Sequence, residues 1–177
     1  MTIREEIIDG ILKEMRDNPG INVYIDLETG RIELDYESMS KLDNSKTDEV
    51  TIRMKERNEL PDAVSSVVDT DRPVYRIEVG GVSDFNNGTL TIRLNYQLKD
   101  GESAENIRVW HFASDGSMVE EECTYSVENG YVEFTTSTLS HFAIVHIEPE
   151  SYVGLGTTMC VILVTIIALS MLVVRRH

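Results

Sequence analysis

From Ile21 to Ile147 apolar residues recur at every second position, in short runs cut by glycine-bearing turns. Ile21, Val23, Ile25 and Leu27 alternate with polar partners, Thr29-Gly30 reverses the chain, and Ile32 and Leu34 resume the alternation. The pattern returns at Val50, Ile52 and Met54, at Tyr75, Ile77 and Val79, at Leu90, Ile92, Leu94 and Tyr96, and at Ile107 and Val109. Side chains of a strand point alternately to its two faces, so a period of two describes strands with one wet and one dry face. Gly80-Gly81, Asn87-Gly88, Asp100-Gly101, Asp115-Gly116 and Asn129-Gly130 supply the tight turns between them. Val119, Cys123, Tyr125, Val132 and Phe134 are expected to face inward, and the last strand is expected over 142–147. The whole predicts an antiparallel β-sandwich with minor helices.

The helices are few. Ile3, Ile7, Ile8, Ile11, Leu12 and Met15 fall at three- and four-residue spacing, which predicts an amphipathic helix over 2–17, with Thr2 and Glu5 as a capping box and Pro19-Gly20 as its stop. A helical turn is expected over 36–42 with Asp35 as its cap, and another over 61–68, entered at Pro61.

The C-terminal stretch has a different character. The 22 residues from Val153 to Val174 contain no charge and no proline, and include Leu155, Val161, Ile162, Leu163, Val164, Ile166, Ile167, Leu169 and Leu172. As a helix they would measure about 33 Å, against a hydrocarbon core of about 30 Å, which predicts one transmembrane helix. Arg175 and Arg176 follow it and Glu148 and Glu150 precede it, so the positive-inside rule places the C-terminus in the cytoplasm and the domain outside. Residues 1–20 carry charges throughout and no apolar signal core. Met1 then starts a fragment of a longer reading frame, or the protein is tail-anchored with its domain in the cytosol, and the first reading is favoured. On this reading the chain divides into an N-terminal helix (1–20), a β-rich half with short helices (21–70), a sandwich-like half (71–147), a stalk (148–152), the span (153–174) and a tail (175–177).

With 31 acidic and 16 basic residues the chain has a formal charge of −15, which repels phosphate backbones and counts against nucleic acid as a partner. Its two cysteines, Cys123 in the domain and Cys160 in the apolar run, make no disulfide framework. Asn87-Gly88-Thr89 matches a glycosylation acceptor and equally a tight turn.

Particular stretches carry a resemblance: Arg72-Pro73-Val74-Tyr75, Val82-Ser83-Asp84-Phe85, Leu90-Thr91-Ile92-Arg93-Leu94 ahead of Leu98-Lys99-Asp100-Gly101-Glu102, Glu105-Asn106-Ile107-Arg108-Val109-Trp110, and Val132-Glu133-Phe134-Thr135-Thr136 followed by His141-Phe142-Ala143. Together with the pattern over 23–42, residues 21–147 resemble the C-terminal β-rich module of prokaryotic cell-surface and S-layer-associated proteins. The resemblance implies an extracellular structural or adhesive module that uses no cofactor. The ending is also similar to autoproteolytic sandwich domains of adhesion receptors, in which a hydroxyl residue follows the His-apolar pair. Here that position is Ala143, so no self-cleavage is expected and His141 reads as a polar strand-end residue.

Chemistry-bearing patterns are sparse. His111, His141, His146 and His177 are scattered without zinc-ligand spacing, and His111 and His141 read as edge histidines that could meet across a sheet. Glu120-Glu121-Glu122 reads as a solvated charge run, Val79-Gly80-Gly81-Val82 opens no helix, and no serine stands in a Gly-x-Ser-x-Gly context. Trp110 is the one candidate ligand contact, weighed against core packing, which is the more usual use of tryptophan. The expected function is a single-pass membrane-anchored structural or adhesion module without catalytic activity, cofactor, metal or small-molecule substrate, whose partners are the membrane and envelope proteins or glycans. The alternatives are an ectodomain that binds glycan or an envelope partner, and a tail-anchored cytosolic adaptor.

Overall fold

The structure is a computed structural model that describes residues 1–43, 49–56, 68, 71–113 and 117–148. In chain order its elements are β1 (Thr2–Arg4), α1 (Glu5–Asp17), β2 (Val23–Leu27), β3 (Gly30–Leu34), α2 (Tyr36–Asp43), β4 (Glu49–Glu56), β5 (Val74–Val79), β6 (Leu90–Asn95), β7 (Ile107–Phe112), β8 (Met118–Glu121), β9 (Cys123–Ser126), β10 (Tyr131–Thr136) and β11 (His141–His146). One sheet has six strands in the order β1-β4-β5-β11-β7-β8, the other five in the order β2-β3-β6-β10-β9. All neighbouring pairs are antiparallel. Residues Met1–Ile147 form one compact unit. Of the second unit, Glu148–His177, only Glu148 is among the described residues.

The inward phase of each strand builds one core between the sheets. Ile32, Leu90, Ile92, Leu94 and Val132 from the smaller sheet meet Ile52, Val79, Val109, Phe142 and Ile144 from the larger, all fully buried. Phe134 and Phe142 touch across the two layers with ring centroids 5.0 Å apart. Hydrogen bonds also cross the layers: the Tyr75 hydroxyl donates to the Asn95 carbonyl at 3.2 Å. Burying apolar area at about 25 cal/mol per Å² is the dominant favourable term, and the alternation is what makes one such core possible.

Two helices complete this core. Ile8, Leu12 and Met15 of α1 and Met39 and Leu42 of α2 belong to the same buried cluster. Asp35 caps α2 as its sequence position predicts, its Oδ1 accepting the Ser38 backbone N–H at 2.8 Å. Its other oxygen accepts the Thr89 backbone N–H at 2.9 Å, so one carboxylate ties the helix to the loop before β6. That loop passes so close that a Cβ on Gly88 would lie 2.6 Å from Ser38 Oγ and 2.7 Å from its backbone nitrogen. Glycine is needed there for the close approach.

Several expectations are corrected. Residues 2–4 are not helical: they pair with β4, the Ile52 N–H donating to the Met1 carbonyl at 2.8 Å, and α1 begins at Glu5 with no side-chain cap. The free edge of β4 offers backbone partners that a solvated first helical turn lacks, so tertiary pairing overrides the helical period. Ile7, counted in the apolar face, is exposed, and Ile8, Leu12 and Met15 are the buried residues of α1. Val119, expected inward, is 53 % exposed on β8, the edge strand of its sheet.

The transmembrane expectation is corrected as well. Among the described residues no helix is long and apolar enough to cross a membrane. The longest, α1, has 13 residues, about 20 Å of rise, and carries charges on its outer face. The fold class is therefore two antiparallel sheets with short helices, with no spanning helix among the described residues. The stretch Val153–Val174 and Arg175 and Arg176 lie outside the described residues, as do residues 61–67 of the turn expected over 61–68. Single-pass topology, placement at the cell membrane with the domain outside, and the membrane as a partner all rested on that span, and they are set aside with it.

Candidate functional site

The sheets differ in how their outer faces balance charge. On the five-stranded sheet, register sets Asp26, Arg31, Arg93 and Glu133 in one row across β2, β3, β6 and β10. Each cation there has a carboxylate: Arg31 Nε lies 2.6 Å from Asp26 Oδ1, and Arg93 is paired with Glu133. Each also lies over a tyrosine ring, Arg31 at 5.6 Å from Tyr24 and Arg93 at 5.2 Å from Tyr131. The charges on this face are satisfied internally.

The six-stranded sheet is different. The outward phase of β4 carries Arg53 and Lys55, and that of β5 carries Arg76 and Glu78. Register places Arg53 opposite Glu78 and Lys55 opposite Arg76, with His141 of β11 next in the latter row. Glu78 serves both arginines, at 2.7 Å from Arg76 Nη2 and 3.7 Å from Arg53 Nη1. Among the described residues no carboxylate lies within ion-pair distance of Lys55. These four side chains line an open depression of about 360 Å³ with an excess of two positive charges. Sequence reasoning missed it. The polar phase of each strand is legible, but the pairing of β4 with β5 is not.

A second constellation is buried. His111, 5 % exposed, stacks on Phe142 at 4.3 Å, and its Nδ1 lies 3.0 Å from Glu121 Oε1. The Thr136 hydroxyl, from the opposite sheet, donates to the same carboxylate oxygen at 3.3 Å. His111 is thus a core residue rather than an edge one, and it does not meet His141. The two stand on adjacent strands but on opposite faces, because Phe142, not His141, is the partner opposite His111. Hydroxyl, imidazole and carboxylate are all present, yet they are not arranged as a catalytic triad. There the imidazole must hold the hydroxyl on one nitrogen and the carboxylate on the other. Here both groups bind one carboxylate, and His111 Nε2 is buried with no hydrogen-bond partner. The signal in the sequence was phase: Glu121 shares its alternation with Val119 and Cys123, which were read as inward.

Burial pushes the His111 imidazole below its usual 6.5, the bond to Glu121 opposing this only in part. The unfolded chain then takes up its proton first as pH falls. The stability His111 contributes is complete above its unfolded value and is lost as pH drops from about 6.5 through the lower folded value. We expect Tm to fall between about pH 7 and pH 5, with a shallower slope in His111→Gln. Calorimetry across that window checks it, and parallel slopes would refute it.

The third constellation clamps a loop. Glu102 is paired with Arg72, accepts the Tyr96 hydroxyl at 2.6 Å and accepts the Lys99 backbone N–H at 2.9 Å. Burial raises the carboxyl of Glu102, but these three donors outweigh it and hold the group below the usual carboxylate range.

Trp110 is half-buried on the outer face of the six-stranded sheet, against the small cluster of Val68, Val74, Phe112, Ala143 and Val145. It packs rather than presenting an open platform. Asn87 is exposed in the turn closed by the Gly88 N–H and the Phe85 carbonyl at 2.9 Å. His146 Nε2 accepts the Ser103 N–H at 3.2 Å. Glu120 lies on the outer face, 3.4 Å from Arg108. Among the described residues no group of three or more His, Cys, Asp or Glu side chains could hold a metal ion.

No protein-family model, curated protein or solved structure matches the chain.

Proposed function

We propose that this chain is a non-catalytic structural module, akin to the β-rich module of S-layer-associated proteins that residues 21–147 resemble. The observation that carries the reading is the use made of its buried polar groups. Glu121 joins β7 and β8 of one sheet to Thr136 of the other, and Glu102 gathers Arg72, Tyr96 and the Lys99 backbone into one clamp. Groups with acid, base and nucleophile character are thereby spent on joining layers and loops, in a geometry that holds the Thr136 hydroxyl on the carboxylate of Glu121 rather than on the imidazole of His111.

The test is a survey of ester, amide and glycoside hydrolysis by the full chain, run beside Glu121→Gln and Thr136→Val. The expected result is no turnover above the uncatalysed rate in any of the three, together with lower thermal stability in both variants. Turnover that disappears in a Thr136→Val protein still folded at the assay temperature would overturn the reading.

A further inference from the structure

We infer that the depression between β4 and β5, lined by Arg53, Lys55, Arg76 and Glu78, binds a compact dianion: a small ligand bearing two carboxylates or one phosphate group. This goes beyond the structural role proposed above and uses different residues.

Three observations carry it. The first is the contrast between the faces. Where the five-stranded sheet gives each arginine of its central row a carboxylate, the β4–β5 pair has, among the described residues, three outward cations and one carboxylate, Glu78, which reaches the two arginines. The second is register. Lys55 and Arg76 stand directly opposite each other, which destabilises a sheet; the like-charge pair Arg31 and Arg93 of the other sheet has a carboxylate for each cation, whereas among the described residues Lys55 has none. The third is shape. The four side chains line a depression of about 360 Å³, and the ion pair of Glu78 with Arg76 Nη2 at 2.7 Å leaves the other N–H donors of that guanidinium for a ligand.

Size follows from the rest of the molecule. The chain carries −15, so a long polyanion laid across the site meets repulsion beyond the depression. At physiological salt such interactions fade over about 8 Å. A ligand small enough to stay within the depression feels mainly its excess of positive charge. Carboxylate and phosphate offer the same oxygen acceptors to guanidinium and ammonium donors, and the experiment separates them.

Thermal unfolding of the full chain would be followed during titration with inorganic phosphate and, separately, with succinate, at constant ionic strength set with chloride. A ligand that binds only the folded state raises Tm along a saturating curve. We expect such a curve with at least one of the two, and the one that produces it names the ligand's charged group. Lys55→Gln, which relieves the like-charge opposition and so does not threaten the fold, is expected to weaken the apparent affinity about tenfold. Glu78→Gln, which removes the competing carboxylate, is expected to strengthen it. The opposite signs separate a site from general salt effects. No saturating rise with either probe overturns the inference, and so does an equal rise in wild type and Lys55→Gln. Poly-glutamate binding more tightly than succinate would also overturn it, assigning the face to acidic protein segments.

Discussion

Replacing Phe142 by alanine is expected to lower the free energy of unfolding by about 3–5 kcal/mol. Phe142 is fully buried near the start of β11, stacked on His111 at 4.3 Å and packed against Phe134 of the opposite sheet at 5.0 Å. Its removal leaves a cavity where the two layers touch. Neighbours on three antiparallel strands cannot close inward without breaking their ladders, so the cavity stays open and its cost adds to the lost transfer energy. Tm should fall by on the order of 10 °C, with the slope of a denaturant titration unchanged. A loss under about 1 kcal/mol would mean that the sheets are not joined through this ring.

The second large effect is expected at Glu102. Its side chain is 5 % exposed and that of its partner Arg72 16 %, so Glu102→Ala strands a guanidinium that has left water, and takes the acceptor from the Tyr96 hydroxyl as well. Removing one partner of a buried pair costs about 3–5 kcal/mol. The same region holds its own control. Lys99 and Asp71 pair at 2.9 Å with side chains 41 % and 65 % exposed, and Lys99→Ala should cost about 1 kcal/mol or less, because solvent screens that pair. The acid dependence adds a check. A carboxyl held low in the folded state contributes stability above its unfolded value, near 4.5, and loses it as pH falls through the folded value. The acid limb of the wild-type stability curve should therefore shrink in Glu102→Ala. Equal losses in Glu102→Ala and Lys99→Ala would count against the clamp.

Strand phase was legible because it is local. Ile32, Ile52, Ile77, Ile92 and Val132 are all buried, and each was marked inward by alternation alone. The cap at Asp35 was legible for the same reason, since its acceptor reaches a backbone N–H only three residues away. Strand partners were not legible. Asn87-Gly88 and Asp100-Gly101 read as tight turns without saying what they join, and β5 and β6 lie in different sheets, as do β6 and β7. Those turns carry the chain from one layer to the other. A glycine-bearing turn fixes how sharply the backbone bends, and contacts made far along the chain decide which strand it meets next.

Local pattern was enough to show that this chain makes half-buried strands and which side chains most of them turn away from water. These properties depend on side chains a few residues apart. Folding of the whole chain placed β4 beside β5, made residues 2–4 extend a sheet instead of opening a helix, and set Lys55 opposite Arg76 and His111 into the core. Those facts depend on register between segments distant in sequence, set by the packing of two layers around one core, and no local pattern encodes them.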